Sequence, residues 1–430
     1  MTMRSRHAAV AVVLAATALA ACSSSKSSSS SSQAAPPTTA SATGSPTTAA
    51  PSPLGTPNAA TGTPVKIGFI TDGKTATIDN STETPAAQAT VQYVNAYLGG
   101  IDGHPISLDV CDDQQTPSGG TDCANQMIAD KVPVVLSNAL GQGGSIFAGL
   151  SAAHIPLESY VSGEASILAA TSGSYVLANS ITSSFGGPAK IAQLDGAKRA
   201  AVLVIDVPAA TAPAQQLDPP FYKNVGIAVD VIPIPPGTAD MTPQIQAELD
   251  KNPDQFSMLG NVPFCVSAIK ALKTLDFTKP IVVVPQCISA ASAPSIPGGY
   301  AGIKLVTNST ISPTDPDVKL YLAVMAKYAP STSPFGLGVT AGGFAAVMAF
   351  VRAMSGVSGP LTPASVEAAY ASMSPQPLPF GGGITFQCNG KQISITPAVC
   401  STGALEATLD QSGNPVGNYT PLDASALEKL

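Results

Sequence analysis

Short apolar runs alternate along this chain with longer segments whose apolar residues recur every three or four positions. Residues 65–70 form one such run, bounded by Pro64 and Gly73, and predict a buried strand. Between Ala86 and Tyr97 the apolar positions have helical spacing. Further strands are predicted at 106–110, at 132–136 and near 155, and further helices at 121–130 and after 144. Such alternation is typical of a parallel sheet with helices on both faces.

The pattern restarts in the middle of the chain, which indicates a second unit of the same kind. A helix at 185–194 precedes strands at 200–205, 227–232, 256–259 and 281–284, with helices at 212–224, from 242, and at 263–275. A strand at 300–307 is followed by helices at 318–328, 338–354 and 363–372, and then by short strands and turns. The chain beyond residue 65 is longer than one core usually organises. We therefore predict an α/β fold with two doubly wound lobes.

The amino-terminal residues follow a different pattern. Arg4 and Arg6 precede an apolar stretch at 8–21 that is too short to span a bilayer, and Cys22 and a serine tract follow. This arrangement predicts a cleaved secretory signal peptide over 1–21. The sequence Leu19-Ala-Ala-Cys22 resembles the bacterial lipobox, which implies that the Cys22 thiol is lipidated. The protein is then expected outside the cytoplasm, anchored to the outer face of the cell membrane.

The next segment, 22–64, is predicted to be a disordered tether. It consists largely of Ser, Ala, Thr, Pro and Gly, and Lys26 is its only charged residue. Such a composition cannot bury enough apolar surface to offset the chain entropy that folding would remove. The ordered part is therefore expected to begin at residue 65.

Six cysteines follow Cys22, and an even number in a secreted chain points to disulfides. Fifteen connectivities are possible, and proximity in the sequence favours the pairs Cys111–Cys123, Cys265–Cys287 and Cys388–Cys400. No pair has the close spacing of a structural zinc site, so we expect no metal.

Residues 93–113 carry a resemblance to a known family. They combine a helix end, a glycine-containing turn and a strand that ends in two aspartates, at positions Asn95, Gly99, Gly100, Ile101, Gly103, Ile106, Asp112 and Asp113. The stretch resembles the branched-chain amino acid binding protein family, the type I periplasmic solute receptors of ABC transporters. Gly99 and Gly100 let the backbone leave the helix through left-handed conformations, so their role is architectural.

The resemblance implies two lobes joined by crossing strands at a hinge, a small solute held between them, an ABC permease as partner, and a monomer. The chain is expected to cross near Ser184, Ser309 and Gly381. The first lobe would then comprise 65–184 and 309–380, and the second lobe 185–308 and 381–430. The solute would be an amino acid or a related amide or organic acid.

The solute is expected between the carboxyl ends of both sheets. The loop 138–145 places glycines and a hydroxyl at a predicted helix N-terminus, which favours a carboxylate, although an ordinary glycine-rich turn has the same residues. Together with residues that follow the other strands, the predicted ligand-binding set is Thr71, Asp72, Gly141, Gln142, Ser145, Ser159, Tyr160, Ser162, Asp206, Asn261 and Gln286.

One departure from the family leaves the solute open. Members that bind amino acids often carry Asp-x-x-Tyr-Gly after the first strand of the second lobe, whereas Asp206 is followed here by Val-Pro-Ala-Ala. Glu158, Glu164 and Asp206 are the candidates for a partner to a ligand ammonium group.

Other functions find little support. Ser267-Ala-Ile-Lys270 fits S-x-x-K, but it lies within a predicted helix and its companion motifs are missing. Only His104 and His154 follow the signal segment, so we expect neither an enzyme nor a cofactor. With 27 acidic against 20 basic side chains and no basic patch, nucleic acid is not expected as a partner. A solute-sensing receptor lipoprotein and a surface lipoprotein with a degenerate cleft stay open as alternatives.

Overall fold

Two mainly parallel sheets carry the fold in the computed structural model, which describes residues 52–75, 79–333 and 340–423. The predicted signal peptide, Cys22 and most of the predicted tether lie outside these residues. The described part contains the hydrophobic runs of both predicted units, and these runs form strands of the two sheets.

The first sheet has five parallel strands in the order β2-β1-β3-β4-β5. Its strands are β1 (Val65–Thr71), β2 (Ile106–Asp112), β3 (Val135–Ser137), β4 (Leu157–Ser159) and β5 (Ser174–Val176). The helices between them are α1 (Glu83–Tyr93), which continues into a wider π-type turn at Val94–Leu98, α2 (Pro117–Ala129), α3 (Gly143–Ala152) and α4 (Ala165–Leu168). We call this sheet and the helices packed on it the first lobe. Strand β5 was not predicted, because three residues give too short an apolar run.

The second sheet begins after helix α5 (Gly187–Leu194). Its parallel strands are β6 (Arg199–Ile205), β7 (Ala228–Ile234), β8 (Gln255–Leu259), β9 (Ile281–Val283) and β10 (Lys304–Thr307), connected by α6 (Pro208–Asn224), α7 (Thr242–Leu249) and α8 (Val262–Thr274). We call this sheet and its helices the second lobe.

The remaining helices return to the first lobe. Helices α9 (Pro316–Tyr328) and α10 (Thr340–Ala353) both pack against α1. They are followed by α11 (Pro363–Ser372) and by the short antiparallel pair β11 (Gln376–Pro377) and β12 (Thr385–Phe386). The last strands, β13 (Gly403–Leu409) and β14 (Pro415–Asp423), join the second sheet beside β10 as an antiparallel hairpin, and its order is β14-β13-β10-β9-β8-β6-β7. The α/β class with two doubly wound lobes is confirmed.

The third crossing between the lobes comes later than predicted. Gly381 was expected to begin the second lobe, yet the backbone N–H of Val176 in β5 donates to Ala398 O at 2.8 Å, and the N–H of Cys400 donates to Val176 O at 2.8 Å. Ile393 and Val399 are buried in a core shared with β3, β4 and α3. Residues 388–400 therefore belong to the first lobe, because β5 would otherwise leave an unpaired edge.

The predicted end of the tether at Pro64 is also too late. The N–H of Asn58 donates to Ala96 O at 3.0 Å, that of Ala60 to Asn95 O at 2.8 Å, and that of Gly62 to Gly103 O at 2.8 Å. Polar composition did not prevent order here, because the turn after α1 offers backbone acceptors to a neighbouring extended segment.

All three predicted disulfides are present, with Cα–Cα distances of 5.5 Å for Cys111–Cys123, 5.2 Å for Cys265–Cys287 and 4.4 Å for Cys388–Cys400. The first ties α2 to the edge strand β2, and the second ties α8 to the segment after β9. The third closes the loop that lies against β5. Within the described ranges, no helix is both long and apolar enough to span a bilayer.

Helices α1 and α10 approach each other so closely that a glycine is required between them. A Cβ at Gly343 would lie 2.2 Å from the backbone oxygen of Glu83. The approach buries nearly every residue of α10 and forms the centre of the first lobe.

Gly343→Ala is expected to destabilise the protein by about 2 kcal/mol or more, because the helices must separate, although alanine favours an isolated helix. Gly144→Ala is the matched control, since a Cβ there has its nearest neighbour at 3.4 Å. Urea denaturation of both variants measures the difference. Equal stability of the two would contradict the packing described here.

Candidate functional site

A cavity of about 300 Å³ lies between the two lobes. Its walls come from the segments that follow β3, β4 and β5 of the first sheet and β9 and β10 of the second, completed by α10 and Phe380. The carboxyl ends of strands from both sheets therefore meet at one cavity, as binding crevices of α/β proteins do. A larger recess of about 560 Å³ lies beside Gly99–Gly103, before β2, at the opposite edge of the first sheet.

The described residues that line the interlobe cavity are all uncharged. The apolar and small ones are Ala139, Val161, Val284, Pro285, Val306, Ala341, Gly342, Ala345 and Phe380. The polar ones are Asn138, Tyr160, Ser180, Ser183, Ser184, Gln286, Thr307, Asn308 and Ser309. The wall thus combines an apolar surface with hydroxyl and amide groups.

Several of the polar side chains are engaged within the protein. The Tyr160 hydroxyl donates to Pro379 O at 2.7 Å, and burial raises the pKa of this phenol, so it stays neutral. The Ser180 hydroxyl donates to Ser162 O at 3.3 Å, and that of Ser183 donates to Ser180 O at 3.2 Å. These bonds fix the wall at the end of β4 and at the first crossing.

Four lining side chains are uncommitted. Within the part of the chain that the structure describes, Ser184, Gln286, Asn308 and Ser309 make no side-chain hydrogen bond. Their hydroxyls and amides both donate and accept. Ser184 lies at the first crossing, Asn308 and Ser309 at the second crossing, and Gln286 in the second lobe. A molecule in the cavity could therefore bond to the second lobe and to the segments that join the lobes.

Asn138 is held from behind by a buried carboxylate. Glu83, at 0% exposure, accepts from Asn138 Nδ2 at 2.8 Å and from Thr71 Oγ1 at 2.6 Å. Burial raises the pKa of Glu83 to about 7, against the two hydrogen bonds, which lower it. On its other side Asn138 contacts α10, where a Cβ on Gly342 would lie 2.2 Å from Asn138 Cγ. The position of this amide is therefore set by packing.

Of the eleven residues predicted to bind ligand, Tyr160 and Gln286 line the cavity. Thr71 and Ser159 lie behind the wall, where the Thr71 hydroxyl donates to Glu83 and the Ser159 hydroxyl lies 2.9 Å from Ser137 Oγ. Both are buried strand-end residues whose hydroxyls are already used.

Residues 141–145 of the predicted loop form a separate polar cluster with Asp72. This carboxylate accepts from Gly141 N at 2.9 Å and from Gln115 Nε2 at 2.8 Å, so the loop amide that could have held an anion is occupied. Gln142 donates to Gln115 O at 3.2 Å, and Ser145 donates to Gln142 O at 2.9 Å. One loop amide that was expected to bind a ligand carboxylate therefore binds a side chain of the protein itself.

The other predicted residues serve local turns. Ser162 accepts from Glu164 N at 3.1 Å, Asp206 accepts from the Thr211 hydroxyl at 3.1 Å, and Asn261 caps α8 by accepting from Phe264 N at 3.2 Å. None of these three lines the cavity.

The cavity residues that sequence reasoning missed lie mostly at the crossings. Ser180, Ser183, Ser184, Thr307, Asn308 and Ser309 cluster around the first two predicted crossing points. The runs of hydroxyl and amide residues at those points were the available signal. The α10 residues that line the cavity are Ala341, Gly342 and Ala345. Nothing in their sequence distinguishes this helix from an ordinary buried helix.

The candidate ammonium partners lie elsewhere. Glu158 is 0% exposed and accepts a hydrogen bond from the Tyr370 hydroxyl, and the Tyr370 ring stacks on Tyr175 with centroids 3.9 Å apart. Glu164 and Asp206 are likewise absent from the cavity lining. Burial raises the pKa of Glu158 to about 8. Among the described residues, no cluster of His, Cys, Asp or Glu is arranged to hold a metal ion.

The periplasmic binding protein family matches residues 64–397 of this chain. The chain therefore belongs to the periplasmic binding protein family, and the predicted resemblance to its type I receptors is confirmed. A comparison of the sequence with curated proteins gave no match.

Solved structures with the same fold include three transporter components. A putative branched-chain amino acid ABC transporter protein from Rhodospirillum rubrum has a TM-score of 0.70 at 16% identity, covering 82% of this chain and 99% of that chain. A solute-binding protein from R. palustris in complex with 4-hydroxybenzoate has a TM-score of 0.60 at 17% identity, covering 84% and 98%. A fatty acid ABC transporter substrate-binding protein from Thermomonospora curvata has a TM-score of 0.62 at 15% identity, covering 89% and 98%.

Stability is expected to fall as the pH rises from about 4.5 to about 8, the ordinary and the raised pKa of Glu158. In this pH window the folded state keeps a proton on Glu158 that the unfolded chain releases. The contribution of this carboxyl to the free energy of unfolding is therefore complete below the window and lost above it. Its slope is at most about 1.4 kcal/mol per pH unit. Glu158→Gln stays neutral and should flatten the slope, while Glu83 continues to contribute up to about pH 7.

Urea denaturation at half-unit steps from pH 5 to pH 8.5 measures this slope. Glu164→Gln, the same change at a half-buried position, is the control and should retain the slope of the unmodified protein. An unchanged slope in Glu158→Gln would mean that this carboxyl is ionised in the folded protein.

Proposed function

We propose that this protein is the extracytoplasmic, lipid-anchored solute-binding component of an ABC transporter and that it closes around a small solute in the interlobe cavity. The observation that carries the proposal is the set of uncommitted polar side chains that the two crossings and the second lobe contribute to one interlobe cavity. A molecule bonded to these groups and packed against the first-lobe wall at Tyr160 and Val161 would favour lobe closure by its differential affinity for the closed state.

Membership of the periplasmic binding protein family supports a binding role. The similar solved structures are described as ABC transporter components, in complex with 4-hydroxybenzoate in one case and assigned to fatty acids in another. The fold thus accommodates different solutes, so the solute must be argued from the site.

We place the ligand contacts at Tyr160 and Gln286, which were predicted, and at Ser184, Asn308 and Ser309, which were not. The remaining predicted residues support the wall or cap local turns. The cavity holds no arrangement of nucleophile, base and orienting group among its described residues, so we infer binding without chemistry. The bound solute should be recovered unchanged.

A thermal-shift screen of the purified protein against amino acids, amides, organic acids and sugars tests the binding role. A bound solute is expected to raise Tm with its concentration. For the best solute, Gln286→Ala should weaken binding by up to about tenfold, the contribution of one hydrogen bond.

Gln215→Ala is the control for that variant, because Gln215 is exposed on α6 away from the cavity. Titration calorimetry gives the Kd of each variant relative to that of the unmodified protein. If no solute raises Tm at millimolar concentration, the transport proposal fails and a degenerate cleft is favoured.

The membrane anchor is tested separately. Replacement of Cys22 by Ser removes the thiol that lipidation requires, so the protein is expected to move from the membrane fraction to the soluble extracytoplasmic fraction. Incorporation of a labelled fatty acid should be lost in parallel. Cys265→Ser, which alters a cysteine within the folded part, should keep the label. Labelled, membrane-bound Cys22→Ser protein would refute anchoring at this residue.

A further inference from the structure

We propose that the cavity selects an uncharged solute, one with an apolar body and hydroxyl, carbonyl or amide groups, and that it discriminates against zwitterionic amino acids and carboxylates. This inference rests on the proposed binding function. It follows from the chemistry of the wall, in which every described lining side chain is neutral.

Several carboxylates behind the wall and around it are already engaged by the protein. Glu83 is separated from the cavity by Asn138, to which it is hydrogen-bonded at 2.8 Å. Glu158 lies against Tyr370, and Asp72 holds the loop amide of Gly141. A ligand ammonium group would therefore enter the cavity without a carboxylate to pair with.

A cation on one of the lining helices is also engaged elsewhere. Arg352 shares α10 with the lining residues Ala341 and Ala345, yet its guanidinium bonds to both carboxylate oxygens of Asp317 and to Pro377 O. In the loop predicted to receive a carboxylate, the Gly141 amide already donates to Asp72. An ion buried without a partner costs several kcal/mol, which corresponds to a loss of binding affinity of a hundredfold or more.

The neutral groups present match a neutral ligand instead. Gln286 and Asn308 supply amides, and Ser184 and Ser309 supply hydroxyls, all of which can donate to a carbonyl or accept from a hydroxyl or N–H. Phe380, together with the valines at positions 161, 284 and 306, provides apolar surface for the rest of the molecule.

Cavity volume sets the size of this molecule. Since a cavity of about 150 Å³ accommodates benzene, the 300 Å³ found here corresponds to roughly a dozen non-hydrogen atoms. Short-chain or monocyclic amides and alcohols fall in this range.

Ligands matched in shape but different in charge test the inference. One set comprises 4-methylpentanamide, 4-methylpentanoate and leucine, and a second comprises 4-hydroxybenzamide, 4-hydroxybenzoate and 4-hydroxyphenylglycine. In titration calorimetry at pH 7.5, the amide of a set that binds is expected to bind at least tenfold more tightly than its charged counterparts. Among the compounds of the wider thermal-shift screen, uncharged ones are likewise expected to raise Tm more than charged ones of similar shape.

The outcomes separate the two proposals. Tighter binding of a carboxylate or a zwitterion overturns the inference and leaves the binding function intact. Failure of these sets and of the whole screen to stabilise the protein overturns the binding function, and the inference falls with it.

A charge placed on the wall gives a second readout. Gln286→Glu preserves the shape of the side chain but adds a negative charge, so it should weaken binding of an anionic member at least tenfold more than binding of the amide. Gln215→Glu adds the same charge on the exposed face of α6 and should leave both affinities unchanged. Equal losses for anion and amide in Gln286→Glu would show that charge at the wall does not govern selection.

Discussion

The buried carboxylate of Glu83 is the constraint on which the first lobe and the cavity both depend. It stands at the first turn of α1 and accepts hydrogen bonds from Thr71 at the end of β1 and from Asn138 after β3. Directly beside it, α10 approaches so closely that neither Gly342 nor Gly343 has room for a side chain. The same contact therefore packs the lobe and fixes one wall of the cavity, and neither can change alone.

The second lobe reaches that wall through the crossing segments. Tyr160 binds the backbone of Pro379, and Thr310 N donates to Phe380 O at 2.7 Å, so the end of β4, the second crossing and residue 380 meet at one point. The loop 388–400 pairs with β5 before the chain enters β13. Residues at the crossings are thus also residues that line the cavity. Under the proposed function, closure of the lobes would be linked to occupancy of this cavity.

The hydrophobic pattern predicted both sheets and most helices because these elements follow from the local periodicity of apolar residues. The disulfides could be predicted because each joins cysteines that are close in sequence. Of the residues predicted to bind ligand, Tyr160 and Gln286 line the cavity. The rule that ligands lie at strand ends selects sequence positions, but it does not show which side chains hydrogen-bond within the protein. Thr71, Asp72 and Ser159 are three that do. The return of 388–400 to β5 has no periodic signal, because it depends on an edge strand of three residues.

The neutral wall of the cavity has a kinetic consequence. A binding site lined by charge draws oppositely charged ligands over distances comparable to the Debye length, about 8 Å at physiological ionic strength, and its association rate falls as salt is added. A wall whose described side chains are all uncharged lacks a local field of this kind. Capture would then proceed by ordinary diffusion at a rate that barely responds to the salinity outside the cell, which suits a receptor exposed to a medium the cell does not control.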